Sequence, residues 1–227
     1  MAKPRTSPRT PRLDPVVLPA LDVGFAGDLE PDVTLEGLAF DDVEVDELDL
    51  GGATVLGCRL SGLRAGTADL KATRIRESVV ERLDVPVIRG ARGSWKDVVL
   101  DGVRIGSAEL YESRLEGVHV VGSKLSFVNL RGSHLRDVVF TDCVIEELDL
   151  LQATATRVAL VNTTVRRLDV QHSTFEHVDL RGADIEEISG ISALGGAVIS
   201  PVQLQLLAPA LATALGIAVE ESTAPLL

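Results

Sequence analysis

Residues 123–150, SKLSFVNLRGSHLRDVVFTDCVIEELDL, carry a large apolar residue at every fifth position. The same ladder extends from Val33 to Ile188, and 27 of its 31 rungs between Leu35 and Ile185 are Val, Ile, Leu or Phe. A period of five fits neither an α-helix, with about 3.6 residues per turn, nor an ordinary strand, with a period of about two. The pattern therefore predicts a chain that turns a corner every five residues.

The residue two positions before each rung also faces inward. Along 118–188 these positions alternate between large and small, as in Val118, Ser123, Val128 and Ser133. Two inward residues separated by one outward residue describe a short extended segment. Gly recurs two positions after the rung, which suits a corner that needs positive φ. Similar units, such as 147–150 and 167–170, recur twenty residues apart.

Four units carry a family resemblance. Ala68-Asp69-Leu70, Val128-Asn129-Leu130, Val178-Asp179-Leu180 and Ala183-Asp184-Ile185 resemble the pentapeptide-repeat family, whose units read Ala, then Asp or Asn, then Leu, then two free positions. The resemblance covers roughly 155 of the 227 residues. It implies an all-β solenoid, a right-handed quadrilateral β-helix with twenty residues per coil. About eight coils, at ~4.8 Å each, would form a rod of ~38 Å.

The flanks of the ladder predict the domain organisation. The chain is 45% hydrophobic but only 3% aromatic, so its core must consist of aliphatic side chains. Such a core suits a narrow coil. A stack of coils needs a cap at each end. We expect a disordered basic tail over residues 1–12, an N-terminal cap over 13–32, the β-helix over 33–190 and a C-terminal cap over 191–227. The alternative for the tail, with its four basic residues, is an arm that binds nucleic acid.

The ladder is irregular at one place. Gly90 and Trp95 both occupy rungs, and an indole is oversized for the coil. Either Gly90 and Gly93 leave room beside the indole, or residues 86–94 leave the coil as a loop.

A helix is predicted over residues 200–215. Ser200 and Pro201 form a suitable N-cap and first turn, and Gly216 is a suitable stop. Pro209 is expected to kink this helix or to start a second one. Its candidate contact residues for a cap or a dimer are Leu204, Leu207, Leu211 and Leu215. The helix either covers the last coil or pairs with a second copy, and some members of the family dimerise through C-terminal helices.

No catalytic signature is found in the sequence. Cys58 and Cys143 lie at small inward positions 85 residues apart, beyond disulfide reach in a stack of coils. Buried free thiols indicate a reducing cytoplasm. The four histidines are outward and lack ligand spacing. We therefore expect no enzyme, no cofactor and no metal. The sequence also contains no signal peptide and no apolar stretch of membrane-spanning length.

An acidic column is the first candidate binding surface. Stacking by twenty residues aligns Asp49, Asp69, Glu109, Asp149 and Asp169, interrupted by Arg89 and Asn129. Quinolone-resistance members of the family protect DNA gyrase with a rod that resembles a DNA duplex. The resemblance thus implies a DNA mimic that acts on a type II topoisomerase and does not itself bind nucleic acid. A solvated acidic surface is the alternative, because a ~38 Å duplex carries about 22 phosphates against a net charge of −10 over residues 31–190.

An apolar strip is the second candidate surface. It contains Val79, Val99, Val121, Val139 and Val161 at outward positions of neighbouring coils. Such a strip indicates a protein interface, although β-branched residues also suit extended segments in general. The second functional hypothesis is accordingly a structural or adaptor module that binds a partner, or itself, through this strip and the C-terminal helix.

Overall fold

The structure, a computed structural model, describes residues 9–220. Short strands that follow one another around a coil account for most of the chain. They are β1 Asp22–Val23, β2 Thr34–Glu36, β3 Leu38–Asp41, β4 Glu44–Asp49, β5 Thr54–Leu56, β6 Arg59–Ser61, β7 Arg64–Asp69, β8 Arg74–Glu81, β9 Asp84–Arg89, β10 Ser94–Asp101, β11 Arg104–Glu109, β12 Arg114–Val121, β13 Lys124–Asn129, β14 His134–Thr141, β15 Val144–Asp149, β16 Thr154–Val161, β17 Thr163–Asp169, β18 Thr174–Glu176, β19 Val178–Asp179, β20 Ala183–Ser189 and β21 Ala197–Val198.

The strands stack into two parallel sheets with a register of twenty residues. Leu115 of β12, for example, lies between Trp95 of β10 and Leu135 of β14. One sheet runs from β4 to β20 through the eight strands β4, β7, β9, β11, β13, β15, β17 and β20. This sheet spans eight coils, and the path of the other sheet, with ten strands, extends past it at both ends, so the stack has about nine turns. The chain is therefore a β-solenoid, as the period of five predicts.

Inward residues fill the coil completely. The rungs form one continuous apolar cluster from Leu29 to Ala197. Small polar residues lie at the second inward position and bond the neighbouring coil. The Ser133 hydroxyl accepts from the Ser113 amide and donates to the Leu110 carbonyl, both at 3.0 Å. These bonds explain why Ser, Thr and Cys alternate with aliphatic residues, since a buried hydroxyl needs partners.

Trp95 remains inside the coil. Its side chain is 5% exposed and β10 pairs with both neighbours without a break. A Cβ added to Gly93 would lie 3.2 Å from the indole nitrogen, and one added to Gly90 would lie 2.7 Å from a Leu110 methyl carbon. Residues 86–94 therefore stay in register, and the two glycines provide the volume that the large side chains need.

Three corners of each coil take a left-handed residue. One column of such corners contains residues 72, 92, 112, 132 and 152, and only the fourth of these is glycine. In all, 15 described residues other than glycine have positive φ. Each carries a cost of about 1–2 kcal/mol from contact between its Cβ and the backbone. The packing of the coils holds these residues in place.

Two substitutions in one corner column are expected to change stability in opposite directions. Glu112 has φ +56° and is exposed, so Glu112→Gly should raise the free energy of unfolding by about 0.5–1 kcal/mol. Gly132, one coil further on, has φ +63°, so Gly132→Ala should lower it by about 1 kcal/mol. Urea denaturation of both variants measures the pair. A loss of stability in Glu112→Gly would contradict the left-handed corner at 112.

The N-terminal segment differs from the prediction. Residues 24–29 close the first coil, with Leu29 buried against the core and Gly24 against the Phe40 ring. Residues 9–23, which we call the N-terminal strap, run instead along the side of the solenoid. The strap ends at β1, which pairs with β3, and near its start the Arg12 amide donates to Asp137 at 2.9 Å. The prediction of a cap is therefore wrong for residues 13–21, and that of a disordered tail is wrong for residues 9–12. Residues 1–8 of the tail lie outside the described residues.

The C-terminal helix α1 spans Pro201–Ala214. Ser200 caps it, with a reciprocal pair of bonds between Ser200 and Gln203 at 3.1 and 2.7 Å. The Gln203 amide also donates to the carbonyls of Leu180 and Ala183, both at 2.7 Å, which fixes the start of α1 to the last coil. One continuous helix passes through Pro209, so of the two alternatives at this residue the second helix is not formed.

Candidate interaction surfaces

The acidic column forms with the predicted register. Asp49 pairs with Asp69, Asn129 with Asp149, and Asp149 with Asp169. The carboxylates of Asp49, Asp69 and Asp169 each accept a hydrogen bond at 2.9 Å from the amide two residues further on. Such bonds stabilise a turn. The Asp of each repeat therefore has a local structural role at its corner.

The prediction that Asp149 lies on the binding surface is wrong. Its side chain is 1% exposed, and it accepts from the Leu151 amide at 3.0 Å and from the Arg131 guanidinium at 2.6 Å. The side chain of Arg131, eighteen residues earlier in the chain, covers the carboxylate and neutralises it. Asp69, Glu109 and Asp169 are half-buried, so only Asp49 of the five is exposed.

The acidic charge is concentrated at the N-terminal end. Residues 13–58 contain twelve Asp or Glu and no Lys or Arg, and all twelve are exposed. Residues 59–219 contain 20 acidic and 18 basic residues, a net charge of −2. Arginines pair with acids of the neighbouring coil, as in Arg167–Glu147 at 2.5 Å and Arg166–Glu146 at 3.3 Å. The sequence signal for this acidic end is the run of acidic residues without Lys or Arg over residues 13–58. Alignment at a spacing of twenty residues does not reveal it.

A buried ion pair lies beside the strap. Arg157 contacts Asp137 at 2.5 and 2.6 Å, and the two side chains are 14% and 8% exposed. Burial alone would raise the pKa of Asp137, but the bonds from Arg157 and from the Arg12 amide hold that pKa below its ordinary value. The same bond raises the pKa of Arg157. Asp137 thus connects two coils and the strap.

The apolar strip is less exposed than predicted. Val79, Val99 and Val121 are half-buried, Val139 is buried, and only Val161 is exposed, at 46%. Outward side chains in a stacked sheet lie about 4.8 Å from those of the next coil and cover one another. His119, in the same column as Val99 and Val139, lies 2.9 Å from the Thr141 hydroxyl through its Nε2. Burial lowers the pKa of His119.

The C-terminal end is apolar and open. From Ile188 to Val219, 32 consecutive residues contain no Asp, Glu, Lys or Arg. No residue of α1 is buried. Leu207 and Leu211 are half-buried, whereas Leu204 and Leu215 are 50% and 74% exposed. An apolar groove lies beside the helix, lined by Ile191, Leu194, Ile199, Leu204, Leu211 and Leu215. Of the three predicted surfaces, this one exposes the most apolar side chains.

Between residues 9 and 220 the structure gives no support for a metal site, a membrane-spanning helix or a reactive thiol. No three His, Cys, Asp or Glu side chains are grouped there to hold a metal ion. In that same part of the chain no helix has the length and hydropathy to cross a membrane. Cys58 and Cys143 are both buried free thiols, and burial raises the pKa of each. A raised thiol pKa disfavours the reactive thiolate.

Stacked parallel coils of twenty residues, with inward rungs every five, define the protein as a parallel β-solenoid. Residues 123–160 match the family model for pentapeptide repeats, in eight copies. Residues 123–160 therefore contain pentapeptide repeats, and the coils on both sides of them keep the same register of twenty residues. Comparison with curated protein sequences finds no significant match.

Several solved structures resemble the chain. One is QnrB1 (R167E, trypsin-treated), a plasmid-mediated fluoroquinolone resistance protein, at 17% identity and a TM-score of 0.35, covering 85% of this chain and 94% of QnrB1. Another is HetL, a pentapeptide repeat protein involved in heterocyst differentiation regulation from the cyanobacterium Nostoc sp. strain PCC 7120. Its identity is 14% and its TM-score 0.30, covering 74% of this chain and 90% of HetL.

Proposed function

We propose that this protein is a non-enzymatic, cytoplasmic binding module that associates with a second copy of itself end to end through α1. The observation that carries the proposal is the uncharged C-terminal end. Val202, Leu206 and Leu215 are 66%, 73% and 74% exposed on a helix with no buried residue. Exposed apolar patches of this kind mark contact surfaces.

The chemistry of α1 favours a second copy over a membrane surface. Helices that bind the membrane interface combine an apolar face with a face rich in Lys and Arg. Between Pro201 and Ala214 the helix has neither cations nor anions. A two-fold contact instead places the same patch against itself, so an uncharged patch meets no like charge. The groove beside α1 offers a place for the exposed leucines of the other copy.

Fixation of α1 to the coil supports a rigid end-to-end arrangement. Gln203 bonds two carbonyls of the last coil, and Leu207 and Leu211 are half-buried. The helix therefore presents its outer residues at a constant position relative to the rod. Preorganisation of this kind lowers the entropic cost of association.

Charge placed on the outer face of α1 is expected to separate the copies. Leu206→Glu with Leu215→Glu would bury two carboxylates in the contact, which costs several kcal/mol when they are unpaired. Both side chains are exposed in the single chain, so its fold should be retained, as circular dichroism would show. Sedimentation velocity should give twice the 24.1 kDa chain mass for wild type and the chain mass for the variant.

The matched control carries the same two charges on the side of the rod. Val144 and Val161 are 45% and 46% exposed, and Val144→Glu with Val161→Glu should remain dimeric. A wild-type protein that sediments as a single chain at about 100 µM, or a dimer that persists in the α1 variant, would contradict the proposal.

Mimicry of DNA is the second candidate function, and the acidic N-terminal end is the observation that favours it. The first coil, residues 32–51, carries eight acidic residues and no basic one. A duplex carries about three phosphates over the ~4.8 Å of one coil. Residues 59–219, with a net charge of −2, lack the charge of a duplex over the rest of the rod. This distribution favours a compact cationic surface on a partner over a long duplex-binding channel.

Inhibition of DNA gyrase supercoiling tests the second candidate, with a type II topoisomerase as the partner. The acidic-end variant replaces Asp42, Glu44, Asp46 and Glu47 by their amides. The control variant does the same at the exposed Glu176, Asp184, Glu186 and Glu187 at the other end. The candidate predicts inhibition by wild type and control, loss of inhibition in the acidic-end variant, and weakening at high salt. Equal inhibition by all three proteins, or by none, would contradict it.

A further inference from the structure

The N-terminal strap follows one corner column of the solenoid. Asp22 and Val23 pair with Leu38 and Ala39 beside the first of these corners. Pro19 lies over Gly57, since a Cβ built on Gly57 would be 3.6 Å from the proline ring. The Arg12 amide bonds Asp137. Gly57, Glu77, Asp97, Gly117 and Asp137 are successive left-handed corners, which we call the corner face.

The lengths agree with an extended strap. From Gly37, which accepts a bond from the Asp22 amide, to Asp137 is one hundred residues, or five coils. Five coils rise about 24 Å at ~4.8 Å each. Residues 12–22 span about 31 Å in a polyproline II conformation, which rises ~3.1 Å per residue. Prolines at 11, 15 and 19 disfavour a helix and suit that conformation.

The middle of the strap is held by apolar contact alone. Pro11, Leu13, Val16, Leu18 and Leu21 are half-buried, whereas Val17 between them is 82% exposed. Within the described chain, no hydrogen bond joins residues 13–21 to the coils. The fixed points are the two ends, at β1 and at Asp137. Docking of a proline-interrupted apolar segment without a backbone ladder is the mode in which polyproline peptides are recognised.

The strap can approach the corner face closely only where the corner residues are small or turn their side chains inward. Gly57 leaves room on the corner face for the ring of Pro19, and Asp137 turns inward to Arg157. Only Glu77 of the five corners is exposed. Asp14 of the strap acts on Asp97, where its negative charge adds to burial in raising the pKa of that carboxyl. Like charges on Asp14 and Asp97 therefore oppose seating of the strap at this point.

We infer that the corner face is a binding site for extended, proline-interrupted apolar peptides, and that residues 11–21 are its occupant in the free chain. A partner protein contributes a segment of the same chemistry, with a basic residue at the Asp137 end. The strap then acts as a tethered competitor. A tethered segment has a millimolar effective concentration, so a peptide in solution binds only after the strap is displaced.

Two matched variants separate an open corner face from an occupied one. The release variant replaces the inward Leu13, Val16 and Leu18 with Asp. The control variant replaces the exposed Thr10, Val17 and Ala20 with Asp, which adds the same charge to the same segment. The probe is a fluorescein-labelled synthetic peptide with the sequence of residues 9–23, and its binding is followed by anisotropy. Trypsin cleavage after Arg12 reports whether the strap is seated.

The release variant should bind the peptide with a Kd at least about tenfold lower than wild type or the control variant. Its cleavage after Arg12 should be at least about tenfold faster, because the strap is open. A peptide in which Leu13, Val16 and Leu18 are Asp should not bind. The inference is overturned if the released protein is cleaved rapidly and yet does not bind the peptide, or if wild type binds it equally well.

Discussion

Replacing Leu130 with alanine is expected to lower the free energy of unfolding by about 2–5 kcal/mol. Leu130 is 1% exposed and lies on the rung between Leu110 and Leu150 of the adjacent coils. Its amide bonds the Asp149 carbonyl and its carbonyl accepts from Ser133, so the backbone is fixed on both sides. A coil held in this way cannot collapse into the cavity, which explains the large expected cost. Chemical denaturation measures it.

The control for this substitution lies at the start of β15. Val144→Ala removes an apolar side chain that is 45% exposed, and it should change the free energy of unfolding by less than about 0.5 kcal/mol. A loss below about 1 kcal/mol in Leu130→Ala would contradict an inward rung at 130.

Removing the charge of Asp137 should lower the free energy of unfolding by about 2–4 kcal/mol, nearly as much as Leu130→Ala. Asp137→Asn leaves the Arg157 guanidinium, which is 14% exposed, without its anion. An uncompensated charge of this kind is strongly destabilising, whereas removal of both partners is often tolerated. The double variant Asp137→Asn with Arg157→Gln should therefore recover most of the loss. Additive losses from the two sites would contradict the pair.

The pH dependence of stability should change in the same variant. The folded pKa of Asp137 lies below its unfolded value, so the ion pair contributes fully above the unfolded pKa of about 4. This contribution is lost as the pH falls through the lowered folded pKa. Denaturation between pH 2 and pH 6 should show a shallower acid loss in Asp137→Asn than in wild type. An identical acid limb would mean that Asp137 titrates normally.

The coil could be predicted from sequence because its information is local and repeated. Each rung, such as Leu125 or Ile145, bonds and packs at a fixed spacing of twenty residues. One register therefore accounts for both sheets. The start of α1 was equally readable, since Ser200 and Pro201 are a suitable N-cap and first turn and lie next to each other in the chain.

The strap and the neutralisation of particular acids were not readable in the same way. Arg12 meets Asp137 across 125 residues, and no period relates the strap to the corners that it crosses. The predicted acidic column requires that its outward acids form no ion pair with a basic side chain. Asp149 is instead covered by Arg131, because an arginine side chain reaches from one coil to the next. Stacking predicts which residues align, but not which of them long side chains neutralise.

Small-angle X-ray scattering of the wild-type protein tests the end-to-end association most directly. The stack has about nine turns, which at ~4.8 Å each give a length of about 43 Å, and α1 continues from its last coil. Joined through α1, two rods should give twice the mass and about 1.8 times the maximum dimension of the Leu206→Glu, Leu215→Glu variant. Equal mass and equal maximum dimension in the two proteins, or doubled mass at an unchanged dimension, would contradict the account.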